Sequence, residues 1–215
     1  MFQSKKDTVY VVLAGIFITN AVVAELIGGK LIHVGSAVMS IGILPWPIVF
    51  VTTDLINEYF GEKGVRKLSF ITASLIAYTF VILFLAMQIP AVNGKNLVTD
   101  AQFHGVFGQS MWIIVGSITA FMVSQLIDVS IFHYVKGKTG DKMIWLRSTG
   151  STVISQLFDS FIVLGIAFWL TGKMDTPTFI VSAFTGYFVK LIIAIALTPL
   201  IYLGHSLIEK YIHSK

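Results

Sequence analysis

The chain has 215 residues, 55% of them hydrophobic and 12% charged, with mean hydropathy +0.83 and a formal net charge of +4. An average soluble domain carries about 25% charged residues, so this composition excludes a soluble globular fold and predicts an all-α integral membrane protein. With no cysteine, the chain has no disulfide, thiolate metal site or cysteine nucleophile.

Six apolar stretches are long enough to cross the hydrocarbon: residues 9–27, 41–60, 68–89, 111–134, 152–170 and 179–203. They predict one six-span transmembrane domain over residues 1–215. The first follows Lys5 and Lys6 as a signal peptide would, but it is too long for an h-region. It also carries Asn20 and Glu25 with no small-residue cleavage site behind them. It reads as a permanent span.

Basic residues set the orientation. Lys5 and Lys6, then Lys63, Arg66 and Lys67, then Lys136, Lys138, Lys142 and Arg147, and finally Lys210 and Lys215 fall on one side of the predicted spans. The opposite loops hold only Lys30, Lys95 and Lys173. Both termini are therefore expected in the cytoplasm, and the basic balance reports membrane orientation rather than a nucleic-acid partner.

The second span opens on Leu44, Pro45, Trp46 and Pro47. Proline suits a helix start, so regular helix is expected from near Pro47 and over only about 14 residues, roughly 21 Å. The Gly- and Ser-containing segment 31–44 then enters as non-helical or re-entrant chain; the alternative is a longer helix kinked at the prolines. A short or interrupted span points to a transport site. Small residues at helical spacing, such as Gly116, Ala120 and Ser124, read as packing stripes.

Five carboxylates fall inside the spans, Glu25, Asp54, Glu58, Asp128 and Asp159, with Lys190 as the one basic residue among them. At about 2.5 to 3.5 kcal/mol per charge at a helix centre, the six oppose insertion by roughly 15 to 20 kcal/mol before pairing. Asp54 and Glu58 share a helix face, with Asn57 beside them. Ser124, Gln125 and Asp128 are echoed by Ser155, Gln156 and Asp159 on the next span. If consecutive spans form symmetric hairpins, Gln125 lies level with Asp159 and Asp128 level with Gln156, and Lys190 joins the depth of Asp159. Asp54 sits near the layer of Asp128, Glu58 nearer the cytoplasmic mouth and Glu25 near the outer face. A structural ion pair between Lys190 and Asp159, and headgroup positions for Glu58 and Glu25, are the plainer alternatives.

Carboxylates, carboxamides and one ammonium together suit a ligand with several N–H donors beside a carbonyl, as on a guanine-type edge. A vitamin, an amine or a metal cation fits the same residues less selectively. No cofactor or resident metal is expected, and the aromatic residues are too many to single out a stacking partner.

The string Pro47, Ile48, Val49, Phe50, Val51, Thr52, Thr53, Asp54, Leu55, Ile56, Asn57, Glu58, Tyr59, Phe60, Gly61 resembles the signature of the queuosine precursor transporter family, also grouped with vitamin uptake transporters. The pairs Gln125 with Asp128 and Gln156 with Asp159 resemble its later motifs in the same order. Val65 stands where the family often has alanine before arginine. The resemblance implies import of 7-deazaguanine precursors of the tRNA nucleoside queuosine, such as 7-cyano-7-deazaguanine or 7-aminomethyl-7-deazaguanine, across the bacterial inner membrane. It carries Asp54, Glu58, Gln125, Asp128, Gln156 and Asp159 as site residues; Asn57 and Lys190 are added by their position alone.

An alternative is the substrate-binding subunit of an energy-coupling-factor importer, which requires partner subunits. The Ala-x-x-x-Ala docking stripe of such subunits is missing from the first span, where Ala14, Ala21 and Ala24 stand. A self-sufficient, proton-coupled transporter is favoured, with self-association left open. An aspartyl protease using Asp128 and Asp159 lacks the Gly-x-Gly-Asp string of those enzymes, and the chain is not expected to be an enzyme. A purely structural membrane subunit is the remaining alternative.

Overall fold

The structure is a computed structural model and describes residues 4–34, 37–92, 94, 97–108, 111–140 and 142–213. Helix α1, Lys5–Ile27, opens on a reciprocal cap. The Ser4 hydroxyl accepts from the Asp7 amide at 3.1 Å, and the Asp7 carboxylate accepts from the Ser4 amide at 3.0 Å. This satisfies two of the donors that a helix start leaves open.

After α1 the chain turns into two short antiparallel strands, β1 (Leu31–Val34) and β2 (Ala37–Ser40), paired Leu31 with Ser40 through Val34 with Ala37. Ser40 fastens this hairpin: its hydroxyl donates to the Gly28 carbonyl at 2.8 Å and accepts from the Gly42 amide at 3.1 Å, starting a 3-10 turn over Ile41–Ile43. The described part of residues 31–40 is thus extended hairpin rather than helix, and only the 3-10 turn at Ile41–Ile43 leads into the prolines. Residues 35 and 36 of that segment lie outside the described residues.

Helix α2 runs Trp46–Met87, interrupted at Gly61, whose φ of 72° and ψ of 179° are non-helical. A side chain at that φ is strained, so glycine is the residue that allows the break. The first half, residues 46–60, is about 22 Å long; the second runs on from residue 62. Between α2 and the next long helix stands α3, Asp100–Phe107, opened by a cap between Thr99 and Gln102. At about 12 Å it is too short to cross a bilayer. It was not anticipated, because a short capped turn leaves no hydropathy signal.

Helix α4 spans Met111–Thr139, α5 Ile144–Leu164, and α6 Thr176–His213. The last turn of α5 opens into a π-helical turn at Gly165–Trp169. Gly116 allows α4 to approach this stretch closely: an added Cβ would stand 3.2 Å from the Val163 carbonyl oxygen and 3.3 Å from the Ala167 nitrogen. Gly116, Ala120 and Ser124 are all buried, as a packing stripe should be. On α2 the small residues Ser69 and Ala73 are likewise buried, while Ala77, one turn further, faces outward.

Among the described residues, five helical stretches are long and apolar enough to cross a membrane: Lys5–Ile27, Ile41–Met87, Asp100–Thr139, Ile144–Trp169 and Thr176–His213. Their outward faces carry large apolar residues such as Phe70, Phe84, Ile192 and Ile195, as lipid contact requires. The inward faces pack Phe17, Val49, Ile56, Val65, Ile76, Phe121 and Val129 into one buried cluster. Helix α5 begins at Ile144 rather than at residue 152. Its first two turns carry Arg147, Ser148 and Ser151, which hydropathy reads as loop and which the fold buries at 1%, 1% and 0% exposure.

Candidate functional site

The polar residues of the helices meet around an internal cavity between α2, α4, α5 and α6. Helix α5 contributes Thr152, Ser155, Gln156 and Asp159, which fall on one helical face. Helix α4 adds Ser124, Gln125 and Asp128, and α6 adds Lys190. Lys190 donates to Asp159 Oδ2 in a partly buried ion pair, and the Ser124 hydroxyl lies 3.5 Å from Asp159 Oδ1. The Ser155 hydroxyl donates to Asp128 Oδ1 at 3.1 Å, and Gln125 Nε2 donates to Thr53 Oγ at 3.2 Å. Gln125 Oε1 has no hydrogen-bond partner among the described residues.

Aromatic rings close the cavity from the α2 side. Trp46 stacks on Phe50, with centroids 6.0 Å apart and planes at 22°, and leans on Phe121 at 5.8 Å. The Pro45 and Pro47 start sets Trp46 at the first position of α2 and so directs its ring to this wall. The open space is about 20 Å³, room for a water or two rather than an organic ligand.

Of the candidate residues, the fold brings Gln125, Asp128, Gln156, Asp159 and Lys190 to this cavity. Asp54, Asn57 and Glu58 do not line it. Asp54 directly follows Thr53, which lines the cavity, and Asn57 and Glu58 stand about one turn further along α2; all three pack against the start of α5 and the end of α4. There Asp54 Oδ2 accepts from the Ser148 hydroxyl, and Asn57 Oδ1 lies 3.3 Å from His133 Nε2. Glu58 Oε2 is held by Arg147 at 2.7 Å and Lys136 at 3.2 Å. Arg147 NH1 donates to the Gly140 carbonyl at 2.6 Å, and its guanidinium lies 5.7 Å from the Phe132 ring centroid. Arg147, read from the sequence as an orienting loop charge, is buried against the carboxylate it neutralises. Glu25 is also buried, at 6% exposure, and its Oε1 accepts from the Ser117 hydroxyl at 2.6 Å.

Sequence reading missed Thr53, Thr152, Trp46, Phe50 and Phe121 as lining residues. Ser124 and Ser155 carried a signal, since each stands just before the glutamine of its repeated motif. Nothing in the sequence separates Trp46 and Phe121 from the many aromatics that face lipid. Among the described residues no group of three or more His, Asp or Glu is arranged to hold a metal ion.

Long apolar helices that turn a charge pair, carboxamides and carboxylates inward around a common cavity define a multi-pass membrane protein of the solute-transporter class. The chain belongs to the family described as "Putative vitamin uptake transporter", whose pattern matches residues 40–204. It is 28% identical to the "Probable queuosine precursor transporter" of Bacillus subtilis, over 83% of this chain and 77% of the relative. A protein of the same description in Haemophilus influenzae is 26% identical over 73% of this chain and 63% of its own length. The "Queuosine precursor transporter" of Escherichia coli is 28% identical over 60% of this chain and 54% of its own length. No solved structure matches the chain. Bacterial relatives of this kind and the apolar helices make it a multi-pass protein of the bacterial inner membrane.

Proposed function

We propose that the protein imports 7-deazaguanine precursors of queuosine, such as 7-cyano-7-deazaguanine, through the cavity between α2, α4, α5 and α6. The observation that carries this reading is the Lys190–Asp159 pair, flanked by Gln125, Gln156 and Asp128 beneath the rings of Trp46 and Phe121. Asp159 accepts from the ring N–H and exocyclic amine of the base, while Lys190 and a glutamine amide donate to its carbonyl. A planar base occupies the space beside Trp46 once the helices part, since about 20 Å³ does not admit it. The bonds of Asp54 to Ser148 and of Glu58 to Arg147 and Lys136 close the cavity on the side of the first turns of α5, so these residues act as an inner gate beside the binding site.

The reading includes six spans with both termini in the cytoplasm. A straight α2 of 42 residues would be about 63 Å long, twice the hydrocarbon thickness of about 30 Å. The break at Gly61 supports two crossings instead. The chain has no cysteine, so single cysteines report topology directly: Lys63→Cys and Lys138→Cys should react with a membrane-impermeant maleimide only after cells are opened. Lys173→Cys should react in intact cells. The reverse pattern sinks the orientation.

Uptake of radiolabelled 7-cyano-7-deazaguanine, by cells unable to make or import it and carrying no energy-coupling ATPase, tests the function. Accumulation above the vector control that a protonophore abolishes is the expected result for a self-sufficient, proton-coupled importer. Accumulation at the vector level excludes it.

A further inference from the structure

A second, larger cavity of about 400 Å³ lies beyond the inner gate, between the first half of α2, the start of α5 and the end of α6. The proposed orientation places it at the cytoplasmic mouth. Its volume falls within the range of sites that hold small organic ligands, whereas the space between Asp159 and Trp46 is closed. Its wall is polar for a membrane protein: Glu58, Arg147, His205 and Glu209 face it, with the Tyr202 ring beside them.

The groups there have unspent capacity of a particular kind. Arg147 is buried at 1% exposure, with NH1 used by the Gly140 carbonyl and NH2 by Glu58. Its Nε is enclosed and has no acceptor among the described residues, so the hydrogen bonding of the guanidinium is incomplete at this wall. Glu209 lies 3.2 Å from His213 and faces the Tyr59 hydroxyl, and with its side chain 42% exposed it keeps an open edge for a further donor. His205 is held at the wall by the Tyr59 hydroxyl, 2.6 Å from its Nδ1. Tyr202, 45% exposed, offers a ring face. The guanidinium on the wall is already committed to Glu58, which Lys136 also holds, so the cavity does not favour a phosphate or other anion. It favours a neutral ring with a carbonyl for Arg147, N–H donors for Glu209 and a flat face for Tyr202.

We infer that this cavity is a second station for the same bicyclic lactam base, occupied after the inner gate opens and before release into the cytoplasm. The inference rests on the transport reading. A carrier that passes its solute between two sites binds it well enough at each to admit it and weakly enough to let it go. The station on Tyr202 and Glu209 is the weaker one, since it is open to solvent.

Equilibrium dialysis of the purified full-length protein against radiolabelled 7-cyano-7-deazaguanine tests this. The expected result is two saturable phases of one equivalent each. Tyr202→Ala and Glu209→Gln, both at exposed positions, should weaken the looser phase at least tenfold and leave the tighter one in place, whereas Tyr202→Phe retains both. Asp159→Asn should remove the tighter phase and spare the looser. A single phase that Asp159→Asn removes and Glu209→Gln leaves untouched overturns the second station while the transport site stands. Displacement of the looser phase by millimolar inorganic phosphate also overturns it, since the cavity then takes anions. No binding in the unsubstituted protein overturns the transport reading and the second station together.

Discussion

Replacing Asp159 by Asn is expected to lower uptake of a 7-deazaguanine at least a hundredfold, and replacing Lys190 by Met to do the same. Each single change leaves its partner charge inside the helix bundle without its counter-ion. Breaking a buried pair from one side costs about 3 to 5 kcal/mol, because the remaining charge keeps its desolvation penalty and loses its attraction. This pair is partly exposed to the cavity, with side chains 20% and 17% accessible, so the cost falls toward the lower end. Both single variants should therefore melt earlier than the parent in detergent. The double variant Asp159→Asn with Lys190→Met separates binding from architecture. With both charges gone no orphan charge remains; replacing a buried pair by well-packed hydrophobic groups is often neutral for stability, a limit that Met approaches and the Asn amide, beside the Ser124 hydroxyl, comes near. If the pair holds the substrate, the double variant regains the parent's melting temperature and still does not transport. If it is only a structural strut, transport returns with stability. Uptake assays paired with thermal unfolding decide between the two, and recovered transport in the double variant removes Asp159 and Lys190 from the site.

Arg147→Met is expected to be the most destabilising single substitution in the chain, by about 3 kcal/mol or more. Arg147 is 1% exposed and holds together three pieces of the fold: Glu58 of α2 at 2.7 Å, the Gly140 carbonyl after α4 at 2.6 Å, and the Phe132 ring of α4 at 5.7 Å. Methionine fills much of the volume and provides none of the donors. Glu58 then keeps only Lys136, at 3.2 Å, and the carbonyl loses a charge-assisted bond. The loss should appear as a large fall in melting temperature and in the amount of protein recovered from membranes. Adding Glu58→Gln to Arg147→Met should return part of the stability by removing the carboxylate that lost its partner. A melting temperature unchanged by Arg147→Met would mean that Arg147 does not hold the α2, α4 and α5 ends together.

The long apolar helices were legible because the bilayer imposes a length and a composition that need no partner to be recognised. Residues 111–134 and 9–27, read from hydropathy, match α4 and α1 closely. The boundary failed at α5, where Arg147, Ser148 and Ser151 are polar by composition and buried by context. A hydropathy window has no means of knowing that Glu58 and Asp54, about ninety residues earlier, receive Arg147 and Ser148, or that the Ser151 hydroxyl turns back to the Ser148 carbonyl. The site was legible in part. The repeated Ser-Gln-x-x-Asp pattern and the symmetry of hairpins predicted that Asp159 meets Lys190 and that Asp128 lies near Gln156, because antiparallel helices of equal rise bring equidistant residues to equal depth. Depth is not direction, however. The same reasoning placed Asp54 near the layer of Asp128, and the two carboxylates do lie close enough to interact; it also grouped Asp54 with Asn57 and Glu58, whose side chains the fold engages with Ser148, His133 and Arg147 outside the cavity lining.

The sequence by itself determined that this is a helical membrane protein, which family pattern it carries, and which charged residues are too costly inside a bilayer to be incidental. The tertiary structure alone decided which of those residues share a cavity, that Trp46 and Phe121 cover it, and that Arg147 lies inside the protein rather than in a loop. The physical reason is that insertion depends on each segment's own transfer free energy, a sum over neighbouring residues. The azimuth of a side chain and the identity of its partner depend on how separate helices rotate against one another, and no single segment contains that information.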